Sequence, residues 1–290
     1  MTVAGDLGIE EIIKRETEGE SSETKSLRLS TSQTLVSSIG CDFNFSDRNE
    51  SFEILASSLE QRYYWFKLGR RDKMLNKLPF LADGPGSGKS RFLQELPKSF
   101  VSYIMNLKQS IYNEPNSTPD DIWSYLEKTP AAFDDFKSVI SSAVFINITF
   151  GYGFAYSSRE IEDGIEVSLS LRILYPYFAH RFSTFTSFYD AYRNKTILLP
   201  NLSLGSTLSF IGKDHNCIVL GIDEVNMLHQ RSKEMFKDLF LIVGSISCNY
   251  PPFFVSVLAG TVIGPMKEVI TGSMYPPCTF LYPFSLLNLV

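Results

Sequence analysis

The stretch Leu78–Glu95 constrains the fold more than any other part of the chain. It reads LPFLADGPGSGKSRFLQE, an apolar run followed by a glycine-rich turn and an amphipathic run that starts with Gly88, Lys89 and Ser90. This pattern predicts a strand, a tight loop and a helix, which is the context of a phosphate-binding P-loop. Glycines let successive backbone N–H groups converge on a phosphate, and the helix N-terminus adds further donors and a positive dipole end.

Each residue of this loop has an expected part in holding a nucleotide. Lys89 would reach the β- and γ-phosphates, and the Ser90 hydroxyl would bind Mg²⁺. The predicted phosphate-contacting residues are Gly84, Pro85, Gly86, Ser87, Gly88, Lys89, Ser90 and Arg91. The pattern G-x-x-x-x-G-K-[ST] is broken once, because Asp83 stands at its first glycine position. The alternative interpretation is a surface turn in which Lys89 and Ser90 are solvated.

A second motif, CIVLGIDE, covers Cys217–Glu224. It has the form of a Walker B strand, an apolar run of strand length that ends in two acidic residues. Asp223 would orient Mg²⁺, and Glu224 would polarise the attacking water as the general base. Taken alone, the motif fits equally well a buried strand that ends in an acidic turn.

A third motif, LAGT, closes the next apolar run and ends at Thr261. At the tip of a strand adjoining the acidic one, Thr261 is expected to sense the γ-phosphate or the lytic water. With Lys89 and Glu224 it completes the predicted catalytic set. A simple helix-capping role for the Gly-Thr pair stays open.

Apolar runs alternate with helical patterns from residue 51 onward. About five strands are predicted, within 78–81, 143–150, 217–222, 253–259 and 279–282. Helices are predicted at 52–66, 90–107, 120–128, 132–142, 167–182, 184–193, 204–213, 232–245 and 262–271. Several strands are apolar throughout, which indicates an α/β three-layer sandwich with a mostly parallel sheet covered on both faces. Pro176 is expected to kink or stop the helix that contains it.

Amino-acid composition indicates the domain organisation and the cellular compartment. Residues 1–50 are rich in Ser, Thr and Glu and predict a flexible arm, while 51–290 predict one nucleotide-binding domain. The net charge of −5 gives no general basic footprint for nucleic acid. Four dispersed cysteines argue against zinc and favour a reducing, intracellular compartment. We find no signal-peptide core and no transmembrane span, so no membrane association is expected.

For four arginines the sequence leaves two interpretations open, one structural and one functional. Arg172 lies in the apolar run SLSLRILY, where a charge normally pairs with a core carboxylate; sensing of nucleotide or of a neighbouring subunit is the alternative. Arg62, Arg70 and Arg71 lie on or after the helix that precedes the P-loop, and are expected to be solvated unless they approach the nucleotide.

Several blocks together resemble a known family. PFLADGPGSGKSRFLQE, LGIDEVNML, VLAGT with FSLLNL, and LSLRILYPYF are similar to the P-loop NTPase module of Crinkler-type effectors and retrotransposon hot spot proteins. The resemblance spans roughly 51–290. It implies a STAND- or AAA-like NTPase that hydrolyses ATP or GTP, with Lys89 and Ser90 on phosphate and Mg²⁺, Asp223 on Mg²⁺ and Glu224 as base.

The resemblance also implies a setting for the module. In that family it is usually followed by a nuclease- or kinase-like effector domain, so we expect 51–290 to stop before a lid or effector domain. Nucleic acid would be a partner only through such a further domain, and action in a host cell or nucleus follows from the resemblance alone. Self-association is expected to supply an arginine finger.

The sequence supports two main alternative functions. The first is an NTPase that switches conformation on nucleotide binding and hydrolysis. The second is a nucleotide-binding interaction module with negligible turnover, which Asp83 favours. A kinase acting on a small substrate is a third possibility, although no motif for an acceptor pocket is present.

Overall fold

The computed structural model describes residues 34–36, 45, 48–110, 122, 124–126, 129, 131–151, 153–193, 202–261 and 277–281. Most of the predicted arm and the helix predicted over 262–271 lie outside these residues. Of the helix predicted over 120–128, the described residues 122 and 124–126 are helical. One piece of the arm contacts the domain, because the backbone amides of Leu35 and Val36 both donate to Gln94 Oε1.

The described elements are five strands and ten α-helices, numbered in chain order. The strands are β1 Leu78–Ala82, β2 Val144–Thr149, β3 Cys217–Asp223, β4 Phe253–Gly260 and β5 Cys278–Leu281. The helices are α1 Asn49–Lys67, α2 Lys89–Glu95, α3 Val101–Asn106, α4 Ala132–Ser141, α5 Ser158–Asp163, α6 Ile165–Phe178, α7 Phe185–Arg193, α8 Leu204–Ile211, α9 Val225–Arg231 and α10 Lys233–Asn249. A π-helical turn, Leu96–Phe100, joins α2 to α3.

The five strands form one all-parallel sheet in the order β2-β3-β4-β1-β5. The predicted α/β class with a parallel sheet is therefore confirmed. Strand β4 separates β1, which leads into the glycine-rich loop, from the acidic strand β3. Ala82 pairs with Gly260 and Thr149 with Asp223, so the carboxyl ends of β1, β2, β3 and β4 meet at one edge.

Side chains of the sheet alternate between two hydrophobic cores, one on each face. In β3, Ile218, Leu220 and Ile222 belong to one core, and Cys217 and Val219 belong to the other. Helices α1–α4 cover the second face, and α6–α10 cover the first. Both faces are covered, which explains why β3 and β4 are buried at every position and are mostly apolar.

The predicted helix over 90–107 is interrupted, and Pro97 supplies the reason. Proline has no N–H with which to bond the carbonyl four residues earlier, that of Leu93. The chain forms a π-helical turn here, and the Asn147 side chain from β2 donates to the Leu93 carbonyl at 3.4 Å. The helix therefore changes type at Leu96 and resumes as α3 at Val101.

Helices α5 and α9 were not expected from the sequence. Pro176 was expected to kink or stop its helix, and the helix does not stop there. Helix α5 begins with a capping box, in which Glu160 N donates to the Ser157 hydroxyl and Ser157 N donates to Glu160 Oε2. Pro176 lies inside α6, which continues to Phe178. Within the described residues, none of the helices has both the length and the apolar character that crossing a bilayer requires.

Candidate functional site

The glycine-rich loop has the backbone shape that its sequence predicts. Gly86 and Gly88 have φ angles of 78° and 81°, in the left-handed region that side chains disfavour. Gly88 is the residue before α2, so the left-handed turn leads directly into Lys89 and Ser90 at the helix start. Such a turn points successive backbone N–H groups into one concavity, which suits a phosphate.

Asp83, the one departure from the P-loop pattern, causes no backbone strain. Among the described residues other than glycine, only Glu224 has a positive φ, so position 83 does not require glycine. The Asp83 carboxylate accepts a hydrogen bond from the backbone N–H of Gly84 at 2.6 Å. The side chain is thus held beside its own turn.

The Lys89 ammonium closes over the loop. It donates to the carbonyl oxygens of Asp83 at 3.0 Å and Gly84 at 2.7 Å, and to the Ser87 hydroxyl at 3.1 Å. The side chain is 5% exposed. The amine therefore lies inside the loop, where backbone dipoles satisfy it.

Charges from β3 also reach this amine. Desolvation lowers the pKa of Lys89, and the carboxylates of Glu224, Asp83 and Asp223, in that order, oppose the decrease. Lys89 and the acidic residues Asp223 and Glu224 are therefore within electrostatic reach of one another, at one edge of the sheet.

Asp223 ends β3 with a side chain that is 3% exposed. Its Oδ1 accepts a hydrogen bond from the Glu224 backbone N–H at 2.9 Å. Burial, the largest cause, and the neighbouring Glu224 raise the pKa of this carboxyl, whereas the Ser90 hydroxyl, the Glu224 amide and Lys89 lower it, and the net change is from 3.8 to about 6. Ser90 and Asp223, the two predicted metal ligands, are therefore close enough for the hydroxyl to stabilise the carboxylate.

Glu224 has an unusual backbone for a side chain of its kind. Its φ and ψ of 55° and 38° are left-handed, a conformation that costs free energy outside glycine and clusters at functional sites. Here the turn redirects the chain from the sheet edge into α9. The half-buried side chain lies with its Cβ and Cγ next to Gly151, which follows β2.

Thr261 lies at the tip of β4, between the β1 loop and the β3 acidic pair. Its backbone N–H donates to Asn226 Oδ1 at 3.1 Å. Asn226 is buried in the first turn of α9, and therefore ties the tip of β4 to the segment after Glu224. Asn226 is thus a buried structural residue of this edge and was not among the predicted site residues.

Arg91 and Arg48 flank the loop from the α1 side. Arg91 forms an ion pair with Glu95 at 2.8 Å along α2, and its guanidinium carbon lies 6.0 Å from the ring centroid of Phe45. Arg48 was missed by sequence analysis. Its Nη2 lies 2.8 Å from where a Cβ on Gly88 would stand, so a side chain at position 88 would have to displace the Arg48 guanidinium as well as adopt a φ of 81°. Nothing in the local sequence marks Arg48, because the contact forms through packing of α1.

The other arginines considered from the sequence lie away from this edge or inside the core. Arg62 is buried, and donates to the Phe254 carbonyl at 3.0 Å, near the start of β4. It is therefore neither solvated nor near the nucleotide loop. Arg70 and Arg71 are exposed, as expected. Arg172 pairs with Glu160 at 2.7 Å, which confirms the expected core ion pair.

The residues available to hold a metal are Ser90 and Asp223. In the part of the chain that the structure describes, no group of three or more His, Cys, Asp or Glu side chains gathers to form a protein-only metal site. Magnesium in nucleotide sites is usually bound by one or two protein oxygens together with substrate phosphates and water. The hydroxyl–carboxylate pair fits that kind of site.

Comparisons with known proteins add no relative. No family model matched the chain, and no curated protein or solved structure matched it. Fold and site alone define its class: a parallel α/β protein with a glycine-rich loop, a buried lysine and an acidic pair at the carboxyl edge of the sheet. Ligands of open parallel sheets bind at this edge.

Proposed function

We propose that the chain is a P-loop NTPase that binds ATP or GTP with Mg²⁺ and hydrolyses its γ-phosphate. It would act as a nucleotide-dependent switch, in the manner of the Crinkler-type module that its motifs resemble. The observation that carries the proposal is that the parallel sheet brings the glycine-rich loop, with Lys89 held inside it, to the same edge as Asp223 and Glu224, within electrostatic reach. This arrangement joins two motifs that are far apart in the chain.

The order of the strands supports the same proposal. One strand, β4, separates the loop strand from the acidic strand, and its tip carries Thr261. This arrangement fits P-loop NTPases that use a glutamate after the acidic strand as the general base. It also fits the expected sensor role of a polar residue at the tip of the intervening strand.

The chemistry would be an in-line displacement at the γ-phosphorus. Glu224 would accept a proton as the water oxygen bonds to phosphorus, and the bond to the bridging oxygen of the diphosphate would break. Lys89 would leave its loop carbonyls to neutralise charge on the β- and γ-phosphates. Ser90 and Asp223 would hold Mg²⁺, which when bound offsets the negative charge of the phosphate oxygens. Thr261 would contact the γ-phosphate or the water.

The binding half of the proposal is tested with Lys89→Ala. Removing the ammonium should weaken nucleotide binding by roughly 100-fold or more, because charge-assisted hydrogen bonds to phosphate are lost. Titration with ATP and with GTP, with and without Mg²⁺, measures the dissociation constants. Lys98→Ala is the matched control, since Lys98 is an exposed lysine on the same helical run. Equal affinity in Lys89→Ala and wild type would refute the site.

The catalytic half is tested with Glu224→Gln. Loss of the general base should lower turnover by about 10²–10⁴-fold, while nucleotide affinity is retained. Phosphate release and equilibrium binding are measured on the same preparation. Turnover that is unchanged in Glu224→Gln would exclude Glu224 as the base.

A second candidate is a nucleotide-binding module with negligible turnover. Asp83 favours it, because its carboxylate lies within electrostatic reach of Lys89 and would repel a polyphosphate. Equal, near-zero phosphate release from wild type and Glu224→Gln, with intact binding, would support this candidate. An arginine finger from a second copy belongs to the first candidate, and would make turnover depend on protein concentration.

A further inference from the structure

Gly151 lies directly against the side chain of Glu224. A Cβ added at Gly151 would stand 3.2 Å from Glu224 Cγ and 3.7 Å from its Cβ, and 3.1 Å from Thr149 Oγ1. The contacts with Glu224 Cγ and Thr149 Oγ1 are tighter than ordinary van der Waals packing, so a side chain at position 151 would require Glu224 or Thr149 to move by a few tenths of an ångström. Gly151 does not have a positive φ, so it is the space and not the backbone that requires glycine.

Hydrogen bonds at the end of β2 fix Gly151. Its N–H donates to Thr149 Oγ1 at 2.9 Å, and its carbonyl accepts from Phe154 N at 2.9 Å, which closes a turn. The preceding amide, that of Phe150, donates to the Asp223 carbonyl at 3.1 Å. This turn is therefore tied to the strand that carries the acidic pair.

The turn is held from inside the core by Arg172. One guanidinium nitrogen, Nη1, donates to the carbonyls of Thr149 at 2.8 Å and Phe154 at 2.7 Å, on either side of Gly151. The side chain is fully buried, and its guanidinium carbon lies 4.5 Å from the ring centroids of both Phe150 and Phe185. Arg172 thus spans the turn whose middle contacts Glu224.

Glu160 in turn holds Arg172. Its Oε1 accepts from Arg172 Nη2 at 2.7 Å and from the Ser168 hydroxyl at 2.6 Å, and its Oε2 accepts from Ser157 N at 2.8 Å. Every partner here comes from α5, α6 or the residue before α5. A buried, hydrogen-bonded ion pair of this kind fixes geometry strongly, because neither charge can move without losing its partner.

We propose that this cluster positions the general base: Arg172 and Glu160 hold the turn, and Gly151 presents the surface that sets the Glu224 side chain. The inference deepens the proposed function and rests on it. Gly151 and Arg172 are positioning residues and do not touch the reacting atoms. The sequence signals for it are an arginine in an apolar helix and a glycine just after a strand.

Gly151→Ala is the direct test. The added methyl should push Glu224 out of place and lower kcat by about tenfold or more, since small displacements of a catalytic group are costly. KM and the affinity for ATP should stay within about twofold, because the glycine-rich loop and Lys89 are untouched. Gly205→Ala is the matched control, because a methyl there would meet only Ile246 Cδ1 at 3.6 Å and Ser203 Oγ at 3.8 Å, both ordinary contacts.

A double variant distinguishes positioning from general damage. If Gly151 acts through Glu224, Gly151→Ala should lower the rate no further in a Glu224→Gln background, because the group it positions is already lost. A crystal structure of Gly151→Ala gives a readout independent of activity, and should show the Glu224 side chain displaced from its wild-type position.

Three results would overturn the inference. They are full kcat in Gly151→Ala, an equal loss of rate in the Glu224→Gln background, or an unmoved Glu224 side chain in the variant structure. Failure of the proposed function looks different, because wild type and Glu224→Gln would then release phosphate at the same rate. Turnover that depends on Glu224 but ignores Gly151→Ala overturns the positioning role alone.

Discussion

Asp223 and Glu224 are adjacent in the chain, yet their surroundings fit them for different work. Asp223 is almost fully buried, with Ser90 and a backbone amide as partners. Glu224 is half exposed and turned by its left-handed backbone toward Gly151. The buried Asp223 carboxylate is suited to binding a cation, whereas its partial exposure gives the Glu224 carboxylate access to water.

The buried carboxylate should make the metal-free protein more stable in acid. The pKa of Asp223 is raised from 3.8 to about 6 on folding, so the folded chain binds this proton more tightly than the unfolded chain. The stabilisation by this proton is fully present below the unfolded pKa of 3.8 and is lost as the pH rises through the folded pKa of about 6. Above that pH the buried, charged carboxylate destabilises the fold. Asp223→Asn should remove the penalty and stabilise the protein by about 2–3 kcal/mol at neutral to alkaline pH.

Urea unfolding in the presence of a chelator, at pH 4 and at pH 8, measures this difference. The gain in Asp223→Asn should be present at the higher pH and small at the lower one. Asp214→Asn is the control, because Asp214 is exposed. Asp223→Asn should also lose Mg²⁺-dependent nucleotide binding, so this substitution gains stability and loses function. An Asp223→Asn variant that is no more stable than wild type at pH 8 would contradict the argument.

Sequence reasoning performed unevenly at the level of residues. The proximity of Ser90 and Asp223 could be predicted, because both residues belong to motifs with fixed places at strand ends. The position of Arg48 against Gly88 could not, since it depends on how α1 packs. The hydrogen bond from the Thr261 backbone N–H to Asn226 Oδ1 could not be predicted either, because it joins two elements that are distant in the chain.

Helices α5 and α6 are joined by a polar network inside an otherwise apolar core. Apolar neighbours surround Arg172 and Glu160, so the pair has replaced its hydration by mutual hydrogen bonds. The capping box that starts α5 places Glu160 for this purpose. The S-x-x-E pattern at 157–160 is present in the sequence, but few apolar residues follow it to indicate a helix.

Removing Arg172 alone from the Arg172–Glu160 pair should destabilise the fold more than neutralising both residues. Arg172→Met should destabilise the fold by about 3–5 kcal/mol, because it leaves the Glu160 carboxylate buried without its cation. Adding Glu160→Gln should recover part of the loss, since the double variant buries no charge at this position. Denaturant unfolding of the two single variants and the double variant gives the coupling. Additive losses would show that the residues do not act as a pair.

The elements themselves were easier to predict than their interruptions. Strands β3 and β4 are continuous apolar runs bounded by polar residues, which is a strong signal. The break between α2 and α3 follows from Pro97, but the compensating bond from Asn147 comes from a strand far along the chain. Local sequence therefore predicts where a helix is interrupted, and tertiary contacts determine the conformation of the interruption.

At the scale of the whole molecule, the order of the strands creates the site. The sequence could indicate a parallel sheet, since all-apolar strands alternate with helices. It could not reveal that β4 lies between β1 and β3, because pairing between distant strands is not encoded in any one segment. That order brings the glycine-rich loop, the tip of β4 and the acidic pair to one edge of the sheet.

Since the site joins the tips of separate strands, a bound nucleotide should stabilise the whole fold. A ligand that binds only the folded state adds about 2.7 kcal/mol at a concentration 100 times its dissociation constant. A domain of this size gains about 2–4 °C in melting temperature per kcal/mol, so ATP with Mg²⁺ should raise the melting temperature by roughly 5–10 °C. Chelation of Mg²⁺ should reduce this rise, and Lys89→Ala should abolish it, while Lys98→Ala keeps it. A rise that persists in full in Lys89→Ala would mean that nucleotide binds elsewhere, and that the loop and the acidic pair do not form its site.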